Sequence, residues 1–151
     1  MKKCLNCGKE LNSKQAKYCC VQCQTNYQHN QWIERWKKGE ENGLRGKYQI
    51  SLHIRKYLFE KYNNKCACCG WGKTNPFTKT IPLEIEHIDG NYLNNSEENL
   101  ILLCPNCHSL TSTYKGANKG NGRKDRQKYS LYVNLEQEQS CVETLQEEPK
   151  E

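Results

Sequence analysis

Residues 84–108 read EIEHIDGNYLNNSEENLILLCPNCH, and this stretch decides how the chain folds. Its start belongs to LEIEHI (83–88), where apolar and polar residues alternate, a pattern that predicts a short strand. A turn-rich loop follows, and then a second apolar run, NLILL (99–103). Because the run leads directly into a Cys-Pro-Asn-Cys pair, the chain is predicted to bring both apolar segments up to a metal-binding turn.

A second cysteine pair, CACC at 66–69, lies upstream of this stretch. Two Cys-x-x-Cys units brought together make a closed tetrahedral zinc site. Gly70 after the first pair and Pro105 inside the second suit tight turns. Cys68 is too close to Cys66 for a normal ligand spacing. The predicted structural zinc ligands are Cys66, Cys69, Cys104 and Cys107.

The N-terminus carries another set of cysteines, in CLNCGK and YCCVQC. Cys4, Cys7 and Cys23 are three ligands of a second predicted structural zinc, and the fourth is either Cys19 or Cys20. Zinc-ribbon-like modules of similar shape bind through the earlier cysteine, and that resemblance favours Cys19. Since four sulfurs leave no open position, both zinc ions are predicted to be structural.

The composition also favours structural metal ions. Mean hydropathy is −1.02 and 35% of the 151 residues are hydrophobic, so the aliphatic core is small and needs support. We find no apolar segment of a secretory signal and no stretch long enough to span a bilayer. A cytoplasmic location is therefore expected, where reduced thiols favour metal over disulfides.

The charge is unevenly spread. The chain carries +6 overall, but six glutamates and one lysine from Leu135 onward give −5, which leaves +11 for residues 1–134. A body this basic suits a polyanion, and nucleic acid is the common one in the cytoplasm. A solubilising charge is the alternative.

The chain divides into five segments by composition. Trp32, Ile33 and Trp36 fall at helical spacing, three glycines follow them, and Ile50, Ile54 and Leu58 mark one face of a second helix. The segments are a Cys4 zinc module (1–26), a helix and Gly-containing linker (27–47), a domain that contains the two apolar runs and the two cysteine pairs (48–116), a basic arm (117–134) and an acidic tail (135–151), for which disorder is expected.

Three side chains are candidates for chemistry, two between the cysteine pairs and one directly after the second pair. His87 is the candidate general base, because an imidazole titrates near neutrality. Glu86 is a hard oxygen ligand suited to Mg²⁺ or Mn²⁺. His108 would be held rigidly by the adjacent zinc turn. Strict alternation sends Glu86 and His87 to opposite faces, so the strand must end or bulge there.

The stretch LEIEHIDGN…N…ENLILLCPNCHSLT resembles the HNH endonuclease motif in its zinc-containing form, and is most similar to proteins of bacteriophages and of the homing type. The resemblance covers about residues 50–128. It implies a small, zinc-stapled α+β protein in which a ββα-metal nuclease domain follows the zinc-ribbon-like module. His87 is matched to the first histidine of the motif, Asn99 to its asparagine and His108 to its last histidine.

The resemblance also implies roles for these residues. His87 activates the attacking water, Glu86 and His108 hold one divalent cation against the scissile phosphate, and Asn99 pins the loop between the strands. The products would carry 5′-phosphate and 3′-hydroxyl ends. Many members have Asp where this chain has Glu86, which leaves the metal preference open, with Mg²⁺ or Mn²⁺ expected.

The predicted partner is double-stranded DNA, with no membrane, and a homodimer is left open. Six basic residues within fourteen positions are expected to grip phosphates: Lys115, Lys119, Arg123, Lys124, Arg126 and Lys128. The alternatives are a non-catalytic zinc-finger DNA-binding protein and a protein-interaction adaptor. The N-terminal module, with Trp32, Arg35 and Trp36, could contact DNA, dock on the catalytic domain or bind another protein.

Overall fold

The computed structural model describes residues 2–12 and 16–118. These residues form a small α+β structure, as the sequence predicts, with short strands and three α-helices in the described part. Contacts divide the chain into two compact units, Met1–Asn42 and Gly43–Glu151. The division falls inside the segment that the sequence assigns to a helix and linker. The basic arm from Lys119 onward and the acidic tail lie outside the described residues.

The first unit contains two cysteine turns and helix α1, Val21–Lys37. The helix begins six residues earlier than the predicted start at residue 27. Its first two turns are polar, so the apolar spacing on which the prediction depended is absent there. One consequence is that Cys23 lies in the first helical turn. Ile33 and Trp36 are buried, and the rings of Trp32 and Trp36 stack with centroids 6.5 Å apart.

The second unit opens with a hairpin. Its first strand lies in the predicted linker, and its second strand contains Ile50, which the sequence placed wrongly on the face of the second helix. Strands β1, Leu44–Arg45, and β2, Gln49–Ile50, pair antiparallel. Helix α2, Leu52–Lys61, follows, and the Ser51 side chain caps it by accepting a hydrogen bond from the His53 amide. Ile54 and Leu58, on the predicted apolar face, are fully buried.

The two apolar runs of the opening stretch pair with each other. Strand β3, Glu84–His87, lies antiparallel to β4, Leu100–Leu103, with Glu86 opposite Ile101 and His87 opposite Leu100. All four residues of β4 are buried, whereas β3 has one side chain of its four buried. Strand β4 is therefore the centre of the core of this unit, and β3 carries the polar residues across its surface.

Helix α3, Pro105–Ser109, follows β4 directly. It begins two residues before Cys107, so both Cys107 and His108 are helical. Proline at the first helical position and the Cys104 sulfur, which accepts from the Cys107 amide at 3.5 Å, explain this start. A 3₁₀ turn, Lys115–Ala117, ends the described region.

The longest described helix is α1, with 17 mainly polar residues. A bilayer requires about 20 apolar ones. The described part of the chain therefore contains no membrane-spanning helix.

Candidate active site

Strand β3 places two carboxylates on one of its faces. Glu84 and Glu86 are two residues apart, so their side chains point the same way, and His87 points to the other face. Glu86 is buried, with 9% of its surface exposed, whereas the Glu84 side chain is 54% exposed. The strand ends at His87, and no bulge intervenes in its pairing with β4.

His108 lies between these two carboxylates. Its Nδ1 is 2.6 Å from Oε2 of Glu84, and its Nε2 is 2.7 Å from Oε2 of Glu86. A neutral imidazole has one N–H and can donate to one carboxylate, whereas an imidazolium can donate to both. Because His108 is in α3, which begins at the Cys104–Cys107 turn, this turn and the strand together fix the three-residue row.

Thr113 and Tyr114, which follow α3 in the chain, also contact this row. The Thr113 hydroxyl donates to Oε1 of Glu86 at 2.5 Å. The Tyr114 ring meets the His108 ring edge-on, with centroids 5.2 Å apart. Thr113 therefore contacts one carboxylate oxygen of Glu86 and His108 the other, and these two contacts restrict the rotamer of Glu86.

His87 has a different partner. Its Nε2 lies 2.9 Å from Oδ1 of Asn95, a buried residue of the loop that follows β3. An amide oxygen can only accept, so Nε2 carries the proton and donates. In the neutral ring this leaves the lone pair on Nδ1.

Asn99 ties this loop together from the start of β4. Its Nδ2 donates to Oδ1 of Asp89 at 2.8 Å and to the Asn94 carbonyl at 2.7 Å, and its Oδ1 accepts from the Asp89 amide. Burial alone would raise the pKa of Asp89, but donors on Asn94, the Asn91 amide and Asn99 hold the pKa below its usual range. The loop is thus closed around an ionised carboxylate.

The cysteine pairs of the second unit meet in one group. The Sγ atoms of Cys66, Cys69, Cys104 and Cys107 lie within 4.8 Å of one another, with Cys69 and Cys104 at 3.7 Å. The edge of a tetrahedral ZnS₄ site is about 3.8 Å for Zn–S bonds of about 2.3 Å. Burial would raise the pKa of Cys66, but amides of Cys69, Cys104 and Cys68 lower it to about 7.

The N-terminal cysteines also meet. Cys4, Cys7, Cys19 and Cys23 form a group of the same size, with Sγ distances of 3.6 Å from Cys7 to Cys19 and 3.4 Å from Cys19 to Cys23. The Cys7 amide is the main cause of a pKa of about 6 at Cys4. Cys20 lies outside the group, although its sulfur is 3.9 Å from that of Cys19.

Both groups fit zinc by their ligand chemistry, since four thiolates at tetrahedral spacing suit this ion. Among the described residues, three or more Cys, His, Asp or Glu ligand atoms converge within 4.8 Å only at these two groups. Glu86 and His108 offer a hard cation two protein ligands, which leaves positions for water and phosphate.

Of the six basic residues predicted to contact DNA, Lys115 is described. It is exposed in the last 3₁₀ turn, with Nζ 4.8 Å from the centre of the Tyr114 ring. Asn118 ties this turn to the site by donating to the Gly90 carbonyl at 2.7 Å. The other five lie outside the described residues: Lys119, Arg123, Lys124, Arg126 and Lys128.

Comparison with known proteins supports the resemblance inferred from the sequence. Residues 66–113 match the family model described as HNH endonuclease. The resemblance is confirmed over this segment. The HNH segment, residues 66–113, contains β3, β4, α3 and all four cysteines of the second group. It is about a third of the chain.

One similar curated protein is the H-N-H endonuclease F-TflIV of Escherichia phage T5, which is 54% identical over 57 residues. The aligned part covers 38% of this chain and 24% of that protein. The chain thus spans about a quarter of the length of the curated relative it matches. No solved structure matches the chain.

Sequence reasoning missed three residues of the site. Glu84 was detectable, because a residue two positions before Glu86 on a strand must share its face. Asn95 was not, since the loop holds several asparagines and nothing in the sequence selects one. Thr113 follows α3 at a distance from the motif that no periodicity predicts.

Proposed function

We propose that this chain is a metal-dependent DNA endonuclease that hydrolyses phosphodiester bonds. The observation that carries the proposal is the pairing of Glu86 with His108 inside the HNH segment, at 2.7 Å. The carboxylate and the imidazole come from two different elements and are both largely shielded from solvent. Together they offer a divalent cation one oxygen and one nitrogen ligand.

The pair fits one Mg²⁺ or Mn²⁺ ion. Two cis ligands of an octahedral ion, each about 2.1 Å from it, are about 3.0 Å apart. The two atoms need to separate by only a few tenths of an ångström to bind it. The longer arm of Glu86, where many members have Asp, is steadied by Thr113. When bound, the cation would supply Lewis-acid stabilisation of the charge that develops on the phosphate oxygens.

His87 would act as the general base. Its Nε2 is committed to Asn95, so the Nδ1 lone pair takes the proton of the attacking water. Asn99 would act indirectly. Its hydrogen bonds to Asp89 and Asn94 hold the loop that carries Asn95, and Asn95 holds His87. Hydrolysis by this route would leave 5′-phosphate and 3′-hydroxyl ends.

We further propose that each cysteine group holds a structural zinc ion. Cys66, Cys104 and Cys107 belong to the hydrophobic core of their unit, packed with Leu102 and Leu103. A zinc ion there would substitute for missing apolar mass and would fix α3, and hence His108, relative to β4. We also propose that residues 48–116 form the catalytic domain and that residues 117–134 form a basic arm that contacts DNA.

The DNA partner follows from charge and from the HNH segment. Residues 1–134 carry +11, which favours a polyanion, and the duplex would be held through its phosphates. One active site per chain cuts one strand, so a double-strand break requires a dimer or two successive nicks.

The test is plasmid nicking in Mg²⁺ or Mn²⁺ with wild type and His87→Ala. Loss of a general base lowers the rate by a factor of about 10²–10⁴, while gel-shift binding should not change. His53→Ala, a histidine of α2, is the matched control and should nick normally. Equal nicking by His87→Ala would contradict the assignment.

If wild type shifts DNA but leaves it supercoiled with every metal tested, the chain is a zinc-containing DNA-binding protein without this activity. The same proteins should be assayed at low salt, because phosphate contacts weaken steeply as salt rises.

A further inference from the structure

We propose that Glu84 is a positioning residue for the metal site. It holds the proton of His108 on Nδ1, so that Nε2 presents its lone pair to the cation beside Glu86. This inference rests on the proposed function and deepens it. It assigns a role to a side chain outside the Glu86, His87, Asn99 and His108 set.

The geometry separates the two carboxylates by function. The ring nitrogens of His108 point away from each other, and each has its own glutamate, at 2.6 Å for Glu84 and 2.7 Å for Glu86. Glu86 is buried and is held by Thr113, as a ligand needs. The Glu84 side chain is half-exposed and touches the outer edge of the ring.

The tautomer follows from this arrangement. An imidazole that ligates through Nε2 must carry its proton on Nδ1. The Glu84 carboxylate, at 2.6 Å, accepts that hydrogen bond, and a cation on Nε2 would leave Nδ1 as the nitrogen that holds the proton. Histidines that bind metals commonly donate their second nitrogen to a carboxylate, and removal of such a partner costs about 10–100-fold in metal affinity or activity.

The geometry of β3 explains why Glu84 can orient the His108 ring without binding the cation itself. Glu84 and Glu86 are separated by one pleat on the same face, and the His108 ring fills the space between their carboxylates. A cation on Nε2 therefore lies on the far side of the ring from Glu84. The row has the order Glu84, His108, Glu86, and Glu86 and His108 would hold the cation.

Two substitutions separate positioning from ligation. Glu84→Leu removes the acceptor at similar size, whereas Glu84→Gln keeps an oxygen that accepts from Nδ1–H but loses the charge. We expect Mn²⁺ binding, measured by electron paramagnetic resonance of the free ion, to weaken about 10–100-fold in Glu84→Leu. In Glu84→Gln the loss should be about fivefold, the difference between a charged and a neutral acceptor.

The second readout is the ring of His108 in the metal-free protein. Two-bond ¹H–¹⁵N spectra report which nitrogen carries the proton, and His108→Ala identifies the signals among the four histidines. Nδ1 should carry a proton in wild type and in Glu84→Gln, and in Glu84→Leu the remaining proton should move to Nε2, which lies 2.7 Å from Glu86. Glu60→Ala, an exposed carboxylate of α2, is the control and should match wild type in both measurements.

Each outcome decides the proposal. Wild-type Mn²⁺ affinity and an unchanged ring in Glu84→Leu would overturn it. A loss in Glu84→Gln as large as in Glu84→Leu would also overturn it, because Glu84 would then be a direct ligand. Failure of the proposed function is distinguishable, since a wild type that neither binds Mn²⁺ nor nicks DNA still gives a ring spectrum that tests Glu84.

Discussion

His87 and His108 are each held by polar side chains that lie within hydrogen-bond distance of their ring nitrogens. At His87 the buried amide of Asn95 accepts from Nε2, and at His108 the carboxylate of Glu84 lies at Nδ1. An imidazole is useful as a base or as a ligand only when its lone pair faces the reacting group. The partner that decides this is, in both rings, a residue that the sequence analysis did not single out.

The N-terminal cysteine group allows a direct test of ligand choice. Cys19→Ser should reduce bound zinc from two ions per chain to one, because its sulfur is 3.4 Å from Cys23 and 3.6 Å from Cys7. Cys20→Ser should keep both ions. Cys20 is also the residue before α1 and makes no side-chain cap there, so serine should not weaken the helix.

Zinc content measured by mass spectrometry of the purified proteins checks this prediction. Loss of zinc from Cys20→Ser, with two ions retained in Cys19→Ser, would reverse the assignment of the fourth ligand. Retention of two ions in both variants would mean that the neighbouring cysteines replace each other.

Gly43, which precedes the β1–β2 hairpin, packs closely against Asn95 in the loop that follows β3. This residue has φ +74°, and a Cβ placed on it would lie 2.7 Å from Cβ of Asn95 and 2.7 Å from Cδ1 of Ile54. Gly43→Ala should therefore push Asn95 away from His87. We expect a loss of stability above the roughly 1–2 kcal/mol of left-handed strain and a drop in nicking rate.

Gly46→Ala is the matched control, because Gly46 has φ +65° but has open space around its Cβ position. It should lose stability by strain alone and should keep its nicking rate. Urea denaturation and plasmid nicking, measured side by side, separate the two effects. Equal nicking rates in the two variants would argue against a role of the hairpin in holding Asn95.

The predictable elements are those that apolar residues mark, although the buried residue of β3 is Glu86 rather than an apolar one. LEIEHI and NLILL become β3 and β4, and the spaced apolar residues of α2 are buried. The hairpin was missed because Gly43, Gly46 and the charged residues between them resemble a linker. The early start of α1 was missed because its first turns bury little. In both places local backbone geometry, rather than a hydrophobic pattern, decides the structure.

The two units carry different amounts of information about function. The HNH segment lies entirely in the second unit, Gly43–Glu151, together with the Glu84–His108–Glu86 row. The first unit contributes a cysteine group and a basic helix end with Arg35 and Lys37. The proposed catalysis therefore belongs to the second unit, while target choice is open to both.

Salt dependence tests where the duplex is held. Arg123→Gln with Arg126→Gln removes two charges of the basic arm, outside the described residues. If each contacts a phosphate, the slope of log affinity against log salt should fall by about 0.9 for each contact removed. Lys65→Gln with Lys73→Gln is the control, because it makes the same change in net charge away from the basic arm. Lys73 lies in the HNH segment and Lys65 directly precedes it, and this pair should leave the slope nearly unchanged.

Fluorescence anisotropy with one duplex at several salt concentrations provides the slopes. Nicking at low salt should persist in both double variants, because neither removes Glu86, His87 or His108. A slope reduced equally by the two pairs would mean that overall charge attracts the duplex. A slope reduced only by the lysine pair would place the duplex against the surface around Cys66 and Cys69, and the proposed basic arm would lose its role.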